Sequence, residues 1–312
     1  MIKVENLSKY FNRFKAVDDV SFSVAPGEVL GFLGPNGAGK STTMKVLSGF
    51  IEPSGGTATI FDHDIVREPV AAKKLIGYLP EGAPAYDDMT ALQFLQFIAA
   101  IRGLGGHATS RIDNVVDLLT LQEVLHRPID TLSKGFKRRV GIAQALLHDP
   151  KVLILDEPTD GLDPIQKHQV RELIKNLAAD KIVIVSTHIL EEVNAVCTRA
   201  IVIANGKLVA DATPEELEAQ SDFHGAVTLQ LVNAGEVQSQ LAALQGVKRI
   251  EVDEQNSARL TLIPQPGEKI IAPVQQLVQQ NNWQLDELFV ERGRLDDVFR
   301  SLACSAETRG AA

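Results

Sequence analysis

The stretch Gly34-Pro35-Asn36-Gly37-Ala38-Gly39-Lys40-Ser41-Thr42 has the spacing G-x-x-x-x-G-K-S/T. Glycines let a backbone curl until successive N–H groups point inward at a phosphate chain, and a helix that starts where the curl ends adds its positive end. Lys40 brings a point charge for β and γ phosphates, and Ser41 brings a hydroxyl for Mg²⁺. A second reactive pair, Asp156 and Glu157, closes the apolar run Val152-Leu153-Ile154-Leu155. Asp156 is of the right type to orient Mg²⁺ or its water shell, and Glu157 to take a proton from an attacking water. Two acids can also merely end a buried strand, but a phosphate loop upstream favours the chemical role. His188 follows a third apolar run, Lys181–Thr187. It stands where open α/β sheets bind ligands, and it is either a structural histidine or a nucleotide contact.

These residues need elements to hold them. Val29–Leu33 reads as the strand into the loop and Thr43–Leu47 as the helix leaving it. Residues 2–7, 20–24 and 57–61 read as short strands, and Ile76–Leu79 as a strand ending at Pro80-Glu81. The aromatics of Tyr10-Phe11-Asn12-Arg13-Phe14 either stack on a base or fill a core or hairpin. Residues 88–126 have helical periodicity broken at Gly103–Gly106, an inserted helical subdomain extending to about 147. Ser133 is an N-cap candidate for a helix through Lys137-Arg138-Arg139. That start is either an anion site or a capped helix with a basic exposed face. Val152–Asp156 and Lys181–Thr187 read as central parallel strands buried on both faces. Ala200–Ala204, Asn205-Gly206 and Lys207–Ala210 form a hairpin, and Thr213 caps a helix opened by Pro214.

A second domain is expected over 224–303. Its order is β-α-β-β-α-β with a terminal helix, which reads as a small ferredoxin-like α+β domain with no catalytic cluster. Residues 304–312 are expected to be a disordered tail. The chain of 312 residues is long enough for two such domains. Its formal net charge of -9 argues against coating nucleic acid. Cys197 and Cys304 form no metal or disulfide pattern, and a reducing compartment is the expectation. No signal peptide opens the chain, and no run is long enough to span a membrane, so membrane contact is expected through a partner.

Residues 1–220 resemble the nucleotide-binding subunit of an ABC transporter. Gly34–Thr42 matches the Walker A motif, and Val152–Glu157 the Walker B strand with its catalytic glutamate. Leu132-Ser133-Lys134-Gly135-Phe136 corresponds to the signature motif, with Lys134 and Phe136 where the family usually has glycine and glutamine. Asp160–Asp163 corresponds to the D-loop, and His188 to the switch histidine. Register with the family favours Phe11 as the base-stacking aromatic, with Tyr10 the alternative. Glu81 stands where a glutamine is usual, and is a further candidate donor to the metal. The Leu-Ser-Lys-Gly-Phe form, Tyr78–Glu81 and the Leu295–Phe299 helix resemble the ABC-2 type exporter branch. That branch includes subunits tied to antibiotic efflux, sodium efflux, nitrous-oxide reductase maturation and gliding motility.

The resemblance implies a P-loop ATPase that hydrolyses ATP with Mg²⁺ as a head-to-tail dimer. Each ATP then sits between one phosphate loop and the opposite signature turn, gripped by Lys40 from one chain and by Ser133, Lys134 and Gly135 from the other. Glu157 polarises the water, His188 contacts the γ-phosphate or holds the water, and Asp163 couples the two sites. The implied partner is an ABC-2 type transmembrane permease, which holds the chain at the cytoplasmic face of the membrane. A translation ATPase would carry two such domains, and a chromosome-associated one would part its Walker motifs with a long coiled coil; this chain does neither.

Overall fold

A computed structural model of the chain describes residues 1–82, 85–232, 237–253 and 255–310, with residues 303–310 described by backbone alone. Its contacts divide it into two units whose main spans are Met1–Ala212 and Thr213–Ser305.

Unit 1 opens with a hairpin of β1 (Ile2–Phe11) and β2 (Phe14–Val24). Both strands are longer than the runs 2–7 and 20–24 suggest. The register slips after Val4 and again after Leu7. Asn6 and Asp19 take left-handed φ of 49° and 56°, and Asn6 Nδ2 donates to Asp19 Oδ1 at 2.8 Å. Such bulges break the alternation a strand is recognised by while leaving the pairing intact. Next come β3 (Val29–Leu33), α1 (Lys40–Leu47), β4 (Gly55–Ile60) and β5 (His63–Asp64). The first sheet has the order β2-β1-β4-β5.

The chain continues through α2 (Pro69–Lys74) and β6 (Ile76–Leu79) into the helical subdomain. There α3 (Ala91–Ile101) starts in a capping box between Thr90 and Gln93, and Gly103, at φ 70°, follows its end. The helices α4 (Ala108–Leu118) and α5 (Lys134–Leu146) follow, and Ser133 caps α5 by accepting from the Phe136 N–H at 3.3 Å. Then come β7 (Val152–Asp156), α6 (Pro164–Ala178), β8 (Ile182–Thr187), α7 (Leu190–Val196), β9 (Arg199–Ala204) and β10 (Lys207–Ala212). The second sheet has the order β10-β9-β3-β8-β7-β6. It is parallel from β9 to β6, with β10 added as an antiparallel hairpin. Every residue of β3, β7 and β8 is buried, as continuous apolar runs covered on both faces should be. Phe94, Leu95, Val115 and Val116 of the helical subdomain share one core with Leu153 and Leu155 of β7. The carboxyl ends of β3, β7 and β8 carry Gly34, Glu157 and His188 to the same edge of the sheet.

Unit 2 begins with α8 (Pro214–Glu218), self-capped by Thr213 and Glu216. It continues as β11 (Val227–Leu231), α9 (Val237–Ala242), β12 (Val247–Val252), β13 (Arg259–Pro264), α10 (Ile271–Gln280) and β14 (Leu285–Val290). The strand order is β12-β13-β11-β14, antiparallel throughout. This is the α+β sheet expected from the element order. Leu229, Leu241, Leu262 and Val274 fill the space between sheet and helices. The helix expected over 235–245 is seen from Val237, and residues 235 and 236 lie outside the described residues. The strand expected from Trp283 starts at Leu285, because Asn282 turns the chain at φ 49°. The final helix, α11 (Leu295–Gly310), continues through most of the stretch read as a tail; Ala303, Ala306, Glu307 and Arg309 are good helix formers. Ala311 and Ala312 lie outside the described residues.

Candidate nucleotide site

The phosphate loop follows β3 directly. A Cβ at Gly34 would lie 2.4 Å from the Ile203 carbonyl oxygen, and one at Gly39, where φ is 111°, 2.4 Å from that of Ala16. Only glycine lets the loop run this close to β2 and β9. Ala38 N–H donates to the Pro35 carbonyl at 3.1 Å and closes the turn. Lys40 is buried, and its Nζ donates to the Gly34 and Pro35 carbonyls at 2.6 and 3.3 Å. Burial pushes its pKa down, while the carboxylates of Glu157, Asp156 and Glu81 pull it up.

A cavity of about 330 Å³ adjoins the loop. Its walls include Phe11 and Phe14 from the hairpin, Lys40 and Ser41, and Glu81 and Glu157 beyond the ends of β6 and β7. Asn36, Gly37, Gly39 and Thr42 supply the rest of the loop's share; Gly34, Pro35 and Ala38 shape the loop and do not line the cavity. Phe11 is 47% exposed and Phe14 61%, which removes the core-filling reading. The two stand opposite each other across the hairpin, turned by Asn12 at φ 53°. Tyr10 does not line the cavity; the Lys15 ammonium sits 5.4 Å from its ring centre.

At the end of β7, Asp156 is fully buried. Its Oδ1 accepts from Ser41 Oγ at 3.2 Å and from Ser186 Oγ. Its Oδ2 is buried without a protein partner. A carboxylate oxygen left free beside a hydroxyl suits a hard divalent cation that keeps most of its waters. Among the described residues no group of three or more His, Cys, Asp or Glu converges for a metal. Glu157 sits in the left-handed region at φ 52°, and its N–H donates to the Ser186 carbonyl and hydroxyl, each at 3.1 Å. Its Oε1 is hydrogen-bonded to His188 Nδ1 at 2.9 Å. Burial raises the Glu157 carboxyl above its usual range, opposed chiefly by the bond to His188. A carboxylate with raised basicity, held by an imidazole at a cavity wall, is equipped to accept a proton.

Residues 17–160 match the family model described as ABC transporter. The chain is 32% identical over 306 residues to the linearmycin resistance ATP-binding protein LnrL of Bacillus subtilis, covering 97% of this chain and 98% of that one. The chain belongs to the ABC transporter ATP-binding family. It is also 40% identical over 211 residues to the uncharacterised ABC transporter ATP-binding protein YhcH of Bacillus subtilis, 67% of this chain and 68% of that one. A solved ATP-binding subunit of an ABC transporter superposes with a TM-score of 0.65 at 31% identity, covering 70% of this chain and 92% of that one. The protein is thus an ATP-binding, ATP-hydrolysing subunit of a transporter complex.

Other residues of this ABC ATPase singled out in the sequence stand outside the cavity. Ser133, Lys134 and Gly135 open α5, and Asp163 caps α6 by accepting from the Gln166 N–H at 2.8 Å. A Cβ at Gly135 would meet the Gln166 side chain at 2.3 Å, and one at Gly161 would meet Lys134 Cδ at 3.2 Å. The start of α5 and the 160–163 turn therefore pack as one surface. The basic face expected on α5 is incomplete, because Arg138 is buried. Burial lowers its pKa, and Asp160, Glu157, Asp156 and Glu81 hold the charge. Family register favours Phe11, with Tyr10 the alternative, yet it is Phe14 that faces Phe11 across the asparagine turn and lines the cavity with it. Sequence reasoning passed over Ser186, whose hydroxyl orders both acids.

Proposed function

We propose that this chain powers an ABC-2 type exporter from the cytoplasmic face of the membrane, held there by its permease. The observation that carries export is the likeness to a resistance ATPase over nearly the whole chain, accessory unit included. Docking is supported by a groove of about 830 Å³ between the sheet and the helical subdomain. Phe50, Tyr86 and Ile101 line it and are exposed, and Lys73 and Lys74 add positive charge. Among the described residues no acidic side chain lines it, in a chain of net charge -9. An amphipathic segment bearing a carboxylate fits such a groove.

In the same reading Phe11, with Phe14, stacks on the base. Gly34, Pro35, Asn36, Gly37, Ala38, Gly39 and Thr42 cradle the phosphates with Lys40. Ser41 and Asp156, with Glu81 at the same cavity, would hold Mg²⁺, which would supply charge neutralisation at the phosphates. Glu157 takes the proton of the attacking water, and His188 holds the geometry. Two chains pair head to tail, so that Ser133, Lys134 and Gly135 of each complete the other's site and Asp163 links the two. ATP binds the closed pair better than the open one, and hydrolysis releases it.

The test is made in cells carrying the intact complex. Lys40→Ala should raise the intracellular level of linearmycin, the compound in the name of the full-length relative, and unchanged or lower accumulation would overturn this export reading. Phe50→Glu combined with Ile101→Glu should release the chain from the membrane fraction, and full retention there would overturn docking in the groove.

A further inference from the structure

Behind the catalytic edge lies a buried acid that the cavity does not use. Glu192, on α7, is 4% exposed, and both of its oxygens are engaged. Oε1 accepts from the Thr159 hydroxyl. Oε2 accepts from the Thr187 hydroxyl at 3.0 Å. Arg171 Nη2, from α6, stands 3.8 Å from Oε1 and balances the charge. Thr159 and Thr187 are themselves buried.

Each hydroxyl belongs to a loop that matters. Thr187 Oγ1 also accepts from the Ile189 N–H at 3.0 Å, so this one oxygen spans the turn on which His188 sits. Thr159 lies two residues past Glu157, and Leu162 N–H donates to its carbonyl at 3.2 Å, so it begins the turn leading to Asp163. One carboxylate therefore clamps the backbone carrying His188 to the backbone carrying Glu157. The bond between those two side chains closes the ring from the other side, at 2.9 Å. The His188 side chain is half-exposed. A buried acid is costly unless each oxygen is paired, and here the pairing joins two loops that sequence separates.

We propose that Glu192 is a positioning residue for hydrolysis, which acts through Thr187 to set His188 against Glu157 and through Thr159 to hold the 159–163 turn. This rests on the roles assigned above to Glu157 and His188. Glu192 has no part in holding ATP, since the phosphate loop and the hairpin do that. Its loss should therefore leave nucleotide binding in place and slow the chemical step.

The test uses the full chain. Glu192→Ala should lower kcat by about 10²-fold, the order a misplaced reacting group costs, with the Kd for ATP unchanged. Glu192→Gln, whose amide oxygen still accepts from the Thr187 hydroxyl and whose N–H can donate to Thr159 Oγ1, should recover much of the rate. Thr187→Val should reproduce much of the loss. In a His188→Ala background, Glu192→Ala should add less than about a threefold further loss, the small remainder acting through Thr159. A purely structural role would instead weaken ATP binding along with turnover, leave Glutamine no better than Alanine, or give losses that multiply with those of His188→Ala, and any of these would overturn the proposal. If His188→Ala alone turned over like the unchanged chain, the reading of His188 would fail first and take the proposal with it.

Discussion

In unit 2 the hydroxyl of buried Thr228 meets Thr261 Oγ1 at 2.9 Å and Glu291 Oε1 at 2.8 Å, and Glu291 is held in turn by Arg294. At the catalytic edge of unit 1, Asp156 is as deeply buried, yet one of its oxygens has no protein partner. Lys40 is buried against two carbonyls, and Glu157 adopts a backbone conformation that disfavours its side chain. The first network closes on itself; the second is left open toward a cavity. A buried polar group without a partner is unfavourable, so the unpaired Asp156 oxygen, kept beside a buried ammonium and a strained glutamate, is suited to a ligand that completes it. The accessory unit is organised for packing, and the nucleotide unit gives up some stability at one edge.

The largest effect that separates the two is expected at Glu157. Glu157→Gln keeps the shape and removes the proposed base, so turnover should fall by about 10²- to 10⁴-fold. ATP binding should persist, and gel filtration with ATP should show a doubled mass. A monomer at high protein concentration would break the assignment of the open network to hydrolysis. A core truncation in unit 2 should do the reverse. Leu229 is fully buried, so Leu229→Ala should destabilise that unit by about 2–5 kcal/mol in chemical denaturation. The Kd for ATP should not change; if it rose, the two units would not divide labour as described.

The smallest effect concerns His148, in unit 1 but away from the cavity. Its Nε2 is hydrogen-bonded to the Ile76 carbonyl at 3.0 Å, and its Nδ1 is buried without a partner. Burial, aided by Arg102, holds its pKa down to about 4 from 6.5. Between those values the unfolded chain binds a proton that the folded chain refuses, so stability falls as pH drops through that window. Denaturation at about pH 7.5 and about pH 5 should show this loss in the first unit, and His148→Gln should reduce it. An equal change in the unit containing Leu229 would remove the contrast.

How much of this was legible depends on whether the constraint is local. The phosphate loop and the Asp156-Glu157 end of β7 are each set by a few adjacent residues, and both were readable from spacing. The buried strands were readable because both faces are covered. The lengths of β1 and β2 were not, because left-handed Asn6 and Asp19 shift the register and hide the alternation. Phe14 joins Phe11 only through cross-strand pairing, and Arg138 is buried only through tertiary packing. Glu192 sits in Leu190-Glu191-Glu192-Val193, which reads as an ordinary helix with two surface acids. Its partners lie 33 and 5 residues away, and only folding brings both to it.

The backbone of Glu157 has a consequence for how such a protein changes under selection. A side chain at φ 52° costs about 1–2 kcal/mol that glycine would avoid. Variants chosen for heat resistance alone should therefore drift toward glycine or asparagine at this position, and each step would make a hardier protein that no longer turns over. Only a screen that demands work as well as survival would keep the glutamate.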